Sequence, residues 1–72
     1  MEPIEITQDI ETGINIASFN YYDGISVAKE RGLEQTTSFH KVNCSTHFVV
    51  CCGDVMFRVQ PEEYPQISRR IF

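Results

Sequence analysis

Isoleucine recurs on even-numbered positions at the start of the chain, at Ile4, Ile6, Ile10, Ile14 and Ile16, the period of a strand with one apolar face. Glu11-Thr12-Gly13 interrupts this pattern with a glycine suited to the left-handed position of a three-residue hairpin loop. Two strands are therefore predicted, with Ile10 opposite Ile14. In that register Gln8 and Ser18 join the isoleucine face, while Glu5, Thr7, Asp9, Asn15 and Ala17 form a wet, acidic one. The second strand is expected to continue through Phe19-Asn20-Tyr21 and to end in a turn at Tyr22-Asp23-Gly24.

From Ile25 to Glu34 the period changes. Ile25, Ala28, Gly32 and Leu33 make the apolar stripe of a short helix, with Lys29, Glu30 and Arg31 outside. Gly32 followed by Leu33 also fits a helix C-cap with its hydrophobic contact, which ends the helix earlier. Thr36 to Val42 predicts a further strand, turning at Asn43-Cys44-Ser45. A second hairpin is predicted around the two-residue turn Gly53-Asp54, pairing Cys52 with Val55. Its core face takes Phe48, Val50, Cys52, Val55, Phe57 and Val59, and its mixed face His47, Val49, Cys51, Met56, Arg58 and Gln60. Pro61 stops the last strand and opens a helical turn, with Glu62 and Glu63 near its start and Arg69 and Arg70 further on. Pro65 interrupts it, and a second turn is expected to bring Ile67, Ile71 and Phe72 to the core. The predicted fold is α+β: an antiparallel sheet of about five strands, two hairpins plus one strand, with one helix between the hairpins and a short C-terminal helical turn.

Composition narrows the class. A chain of 72 residues supports one hydrophobic core, so residues 1–72 are expected to form a single compact domain. The 42% hydrophobic and 22% charged residues separate it from disordered sequences. Met1-Glu2-Pro3-Ile4-Glu5 lacks the basic region and apolar run of a secretory signal. The longest apolar run, Phe48-Val49-Val50-Cys51-Cys52, is far short of a membrane span. Three cysteines, two of them adjacent, suit reduced thiols better than a disulfide framework, so a cytoplasmic location is expected and the acceptor pattern Asn43-Cys44-Ser45 carries no weight.

Charge is uneven along the chain. Residues 1–28 hold Glu2, Glu5, Asp9, Glu11 and Asp23 and no Lys or Arg, whereas residues 29–72 hold six basic residues against five acidic ones. No basic stripe suits direct nucleic-acid binding.

Candidate chemistry centres on His40, Cys44, His47, Cys51 and Cys52, whose spacing invites zinc. In the predicted hairpin Cys51 and Cys52 point to opposite faces, which leaves a site of three ligands at most, drawn from His47, Cys51 and Cys44 or His40. The plainer alternative is that Cys51 and Cys52 act as small hydrophobes. Cys44 with His47 or His40 is the only nucleophile–base pair to consider, and so small a domain has little room for a catalytic cleft. The glycines at 13, 24, 32 and 53 make no phosphate loop, and Glu62-Glu63 suits a helix start better than acid–base work. Neither enzyme activity, nor a catalytic residue, nor a metal, nor a cofactor is predicted.

The acidic N-terminal part is the expected functional surface: Glu2, Glu5, Asp9, Glu11 and Asp23, with Tyr21 and Tyr22 as anchors. The competing explanation is a solvated face that keeps a small protein dissolved. The expected function is that of an acidic protein-binding module, a monomer or homodimer, that inhibits or regulates a larger protein by occupying a basic surface such as a nucleic-acid-binding groove. It would contact neither nucleic acid nor membrane. By size and charge alone this compares with small phage and mobile-element inhibitors of CRISPR or restriction systems. Two other readings are a zinc- or thiol-dependent module built on His47, Cys51 and Cys44, and a structural homodimer formed through a strand edge or the Val49–Met56 face.

Overall fold

The computed structural model describes residues 2–64 and 69–71. In chain order the elements are β1 (Glu5–Gln8), β2 (Asn15–Asn20), α1 (Tyr21–Glu30), β3 (Glu34–Gln35), a 3-10 turn (Phe39–Asn43), β4 (His47–Cys51), β5 (Asp54–Val59), a second 3-10 turn (Pro61–Glu63) and β6 (Arg69–Ile71). The strands form one sheet in the order β3-β4-β5-β2-β1-β6. The α+β class holds, but the sheet is mixed and not purely antiparallel, because β3–β4 and β1–β6 are parallel pairs. The reason for the first is connectivity: the Phe39–Asn43 segment carries the chain back to the end of the sheet where β3 began, so β4 runs alongside β3 in the same direction. The predicted helical turn at Pro61 is present. The further helical turn expected to carry Ile67, Ile71 and Phe72 is not what forms at Arg69–Ile71, which is strand β6, hydrogen-bonded in parallel to the free edge of β1; Ile67 and Phe72 lie outside the described residues.

β2 is the central strand, and it changes the first hairpin. Residues Asn15 to Phe19 are all buried, so both faces of this strand are dry. The pairs are Glu5↔Ser18, Ile6↔Ala17, Thr7↔Ile16 and Gln8↔Asn15, one step away from the predicted Ile10–Ile14 register. With a side-chain period of two, that step sends Ile6 to the face of Ala17 and Phe19, and Ile16 to the face of Thr7 and Ser18. The loop widens accordingly. The Asp9 carboxylate accepts the Glu11 N–H at 3.0 Å, the Gly13 N–H donates to the Asp9 carbonyl at 2.7 Å, and Ile10 is left 66% exposed.

The second hairpin pairs Phe48↔Phe57, Val50↔Val55 and Cys51↔Asp54. Its turn is Cys52-Gly53, with φ values of +56° and +83°, where the sequence predicted Gly53-Asp54. Two residues of positive φ match the right-handed twist of the strands they join. This register lies two steps from the predicted one, so the faces survive: Phe48, Val50, Val55, Phe57 and Val59 share the side of Phe19, and only Cys52 leaves it.

α1 lies on that side. It starts at Tyr21 in place of the predicted strand end and turn, because the Asn20 side chain caps it. A Cβ on Gly24 would stand 2.3 Å from the Cβ of Val55, so only a glycine lets the helix backbone come so close to β5. Phe19 and Phe57 stack below it with ring centroids 5.2 Å apart. At its end, Gly32 at φ +69° lets the Leu33 N–H reach the Ala28 carbonyl at 2.9 Å. This is the glycine C-cap that the sequence offered as the shorter helix end.

The opposite face is covered by the Phe39–Asn43 turn, where a strand over Thr36–Val42 was predicted. A strand could only extend the sheet edge. The 3-10 turn instead crosses β4 and β5, buries Val42 completely and receives a hydrogen bond from Arg58 Nη1 to the Asn43 carbonyl at 3.4 Å. Val49 is buried on this face and Met56 partly so.

Candidate functional site

The two ends of the sheet differ in character. At one end, here the turn end, β2 hands over to α1 and β5 begins, since Asn20 pairs with Asp54. The segment before β1 reaches the same end, where the Ile4 N–H donates to the Ser18 carbonyl. Glu2, Glu5, Asp23 and Asp54 thus lie toward the same end as Tyr21, Tyr22 and the Cys52-Gly53 turn, with Asp23 on the helix side of the sheet and Glu5 and Asp54 on strand positions of the other face. Tyr21 is 50% and Tyr22 84% exposed. Their rings meet edge to face, 5.9 Å between centroids and 80° between planes, an arrangement favoured by the aromatic quadrupole.

Local chemistry fixes this pair in place. Asn20 Oδ1 accepts the Asp23 N–H at 2.9 Å, and Asn20 Nδ2 donates to the Asp23 carboxylate at 3.0 Å. The two residues close the first helical turn reciprocally, and the carboxylate sits where the helix dipole is positive. Both tyrosines ride on that closed turn.

Asp9 and Glu11 do not join them. They sit in the β1–β2 loop at the other end of the sheet, the loop end, with the four residues of β1, about 13 Å of extended chain, in between. The field of five carboxylates expected from the sequence is therefore divided, with Glu2, Glu5 and Asp23 on one side and Asp9 and Glu11 on the other. Asp54 joins the first group and was missed, since a count of charge along the chain cannot see a carboxylate brought in from β5. Ile4, 60% exposed, adds apolar surface there.

The loop end is ion-paired. Arg31, just past α1, binds Glu63 and lies over the Phe57 ring at 5.1 Å. Burial alone would raise the Glu63 carboxyl, but hydrogen bonds from Arg31 and the Gln60 N–H outweigh it and hold the carboxyl below its ordinary range. Burial likewise disfavours the Arg31 charge, and the hydrogen bond and charge of Glu63 more than restore it. His47 Nε2 stands 3.7 Å from the Glu34 carboxylate, and its Nδ1 is 2.9 Å from Thr46 Oγ1.

The histidines and cysteines fall differently from the sequence expectation. His47 and Cys51 share a face, but they are four residues apart on an extended strand, about 13 Å, so they do not converge. His40 and Cys44 are exposed. Among the described residues no group of three or more His, Cys, Asp or Glu is placed to hold a metal ion. Cys51 and Cys52, expected on opposite faces, instead come together at the turn end with their sulfurs 3.8 Å apart. The hydrogen bond to Cys52, then its charge and that of Asp54, push the Cys51 thiol up.

Comparison with protein-family models, curated proteins and solved structures finds no match. Among the described residues no helix is long and apolar enough to cross a membrane.

Proposed function

We propose that this chain is a protein-binding module that inhibits or regulates a larger partner by docking its turn end against a basic surface, such as one that otherwise receives nucleic-acid phosphates. The observation that carries this reading is the Tyr21–Tyr22 pair, two large exposed rings held on a helical turn that Asn20 and Asp23 cap. Tyrosine buries much area with few rotatable bonds, and a rigid platform loses little entropy on docking. The surrounding negative charge would steer the approach of a cationic partner and align it.

The test is affinity capture from the native host, followed by binding measurements on the captured partner at low and high salt. Tyr22→Ala is expected to weaken binding tenfold or more, about 1.4 kcal/mol. Glu5→Lys should weaken it less and flatten its salt dependence. Glu11→Lys, at the loop end, should leave it unchanged. Equal losses from Glu11→Lys and Tyr22→Ala, or no loss from either tyrosine, would show that docking does not use the turn end.

A further inference from the structure

The Cys52-Gly53 turn carries chemistry that neither the core nor the docking surface uses. In a regular strand adjacent side chains point apart, and a strand through Cys51 and Cys52 denies them a common ligand. The turn removes that obstacle. Cys51 is the last residue of β4 and Cys52 the first of the turn, at φ +56°. The change of backbone direction between them brings the sulfurs to 3.8 Å, unbonded, and both residues are exposed. The pair is held in register by Cys51↔Asp54 and Val50↔Val55. Asparagine or glycine is the usual occupant of a left-handed hairpin position, so the turn itself gives no reason for a cysteine at 52.

We propose that Cys51 and Cys52 form a chelating dithiol that captures a soft, thiophilic centre, trivalent arsenic or Cu(I), between their two sulfurs. Thiolates favour soft centres, and hard oxygen-seeking cations have no use for this pair. Tetrahedral zinc needs more protein ligands than gather here. With an aryl arsenic(III) oxide the reaction is a condensation: two As–S bonds form, the As–O bonds break, and the two thiol protons leave with the oxygen as water. No electron is transferred. With Cu(I), both thiols release their protons to solvent and the ion bridges the two thiolates. This inference does not depend on the docking reading.

The probe is phenylarsine oxide, applied to the reduced full chain and read by intact mass. The expected product is a single adduct, heavier by the reagent less one water, that survives excess monothiol and is released by a small dithiol. C51S and C52S should each lose the monothiol-resistant adduct, while C44S keeps it. C52G, which suits the left-handed position better than the parent residue, should lose it too and guards against a folding defect in C52S. A parallel titration with Cu(I) against a competing chelator distinguishes the two ligands: one equivalent retained by the parent chain and C44S, and none by C51S, extends the site to Cu(I), whereas no retention confines it to arsenic. An arsenical that washes out of the parent chain with monothiol, or one held equally well by C51S, would overturn the proposal.

Discussion

The turn end and the loop end of this sheet carry acidic groups in opposite circumstances. At the loop end Glu63 is held by Arg31, and Glu34 stands near His47. At the turn end, among the described residues, neither Asp23 nor Asp54 is ion-paired: Asp23 is committed to Asn20 and the helix start, and Asp54 faces Asn20 across the β5–β2 pair. At the loop end Glu63 helps to hold the molecule closed, whereas Asp23 and Asp54 at the turn end serve no ion pair among the described residues. A net charge of −4 says nothing of this division, which is set by strand direction.

Three substitutions would break or sharpen that contrast. The largest effect is expected at Gly24, where any side chain meets Val55. Gly24→Val should cost about 3 kcal/mol by overpacking, read as a lower urea midpoint, and should lift the start of α1 and the tyrosine platform with it. Asn20→Ala should cost about 1 kcal/mol through loss of the cap, and the Asp23 amide, which donates to Asn20, should exchange with solvent faster. The smallest effect belongs to the loop end. Glu63→Gln should cost about 0.5 kcal/mol, because both partners are about one-third exposed and solvent screens the pair. Its pH signature is more telling. The folded-state Glu63 carboxyl lies below its ordinary value of 4.5, so its contribution is complete above that value and disappears as pH falls through the folded-state value. The parent chain should therefore lose more stability than Glu63→Gln on acidification below about pH 4.5, while stability at neutral pH changes little.

How much of this could be read from the sequence depends on parity. In the β4–β5 hairpin the actual turn sits one residue earlier than Gly53-Asp54, which shifts the pairing by two and leaves every strand residue on its predicted face. In the β1–β2 hairpin the error is one step, and the faces exchange. The isoleucine alternation misled because it is the signature of a strand with one dry side, and β2 is dry on both. The start of α1 was hidden for another reason. Tyr21 and Tyr22 favour strands, and their propensity masked the stronger signal, an asparagine followed three residues later by an aspartate in a cap-and-return arrangement. Of the candidate site, the side-by-side placement of Tyr21, Tyr22 and Asp23 was legible, because they are neighbours in the chain. The separation of Asp9 and Glu11 was not, since β1 carries carboxylates at both of its ends and linear order does not say which end faces what. The cysteine pair was misread because its geometry depends on a single turn residue that composition assigned to the strand.

The position of β2 also governs the order in which the molecule can be completed on the ribosome. Asn15 waits for Val59 and Asn20 for Asp54, so the first hairpin and α1 emerge long before the strand that buries their shared side. Until β5 is made, Phe19 and Ala17 have no sheet partner on that flank. The nascent chain thus holds an unpaired edge until Asp54–Val59 is made, and closure comes through contacts between distant segments, the kind of topology that folds slowly.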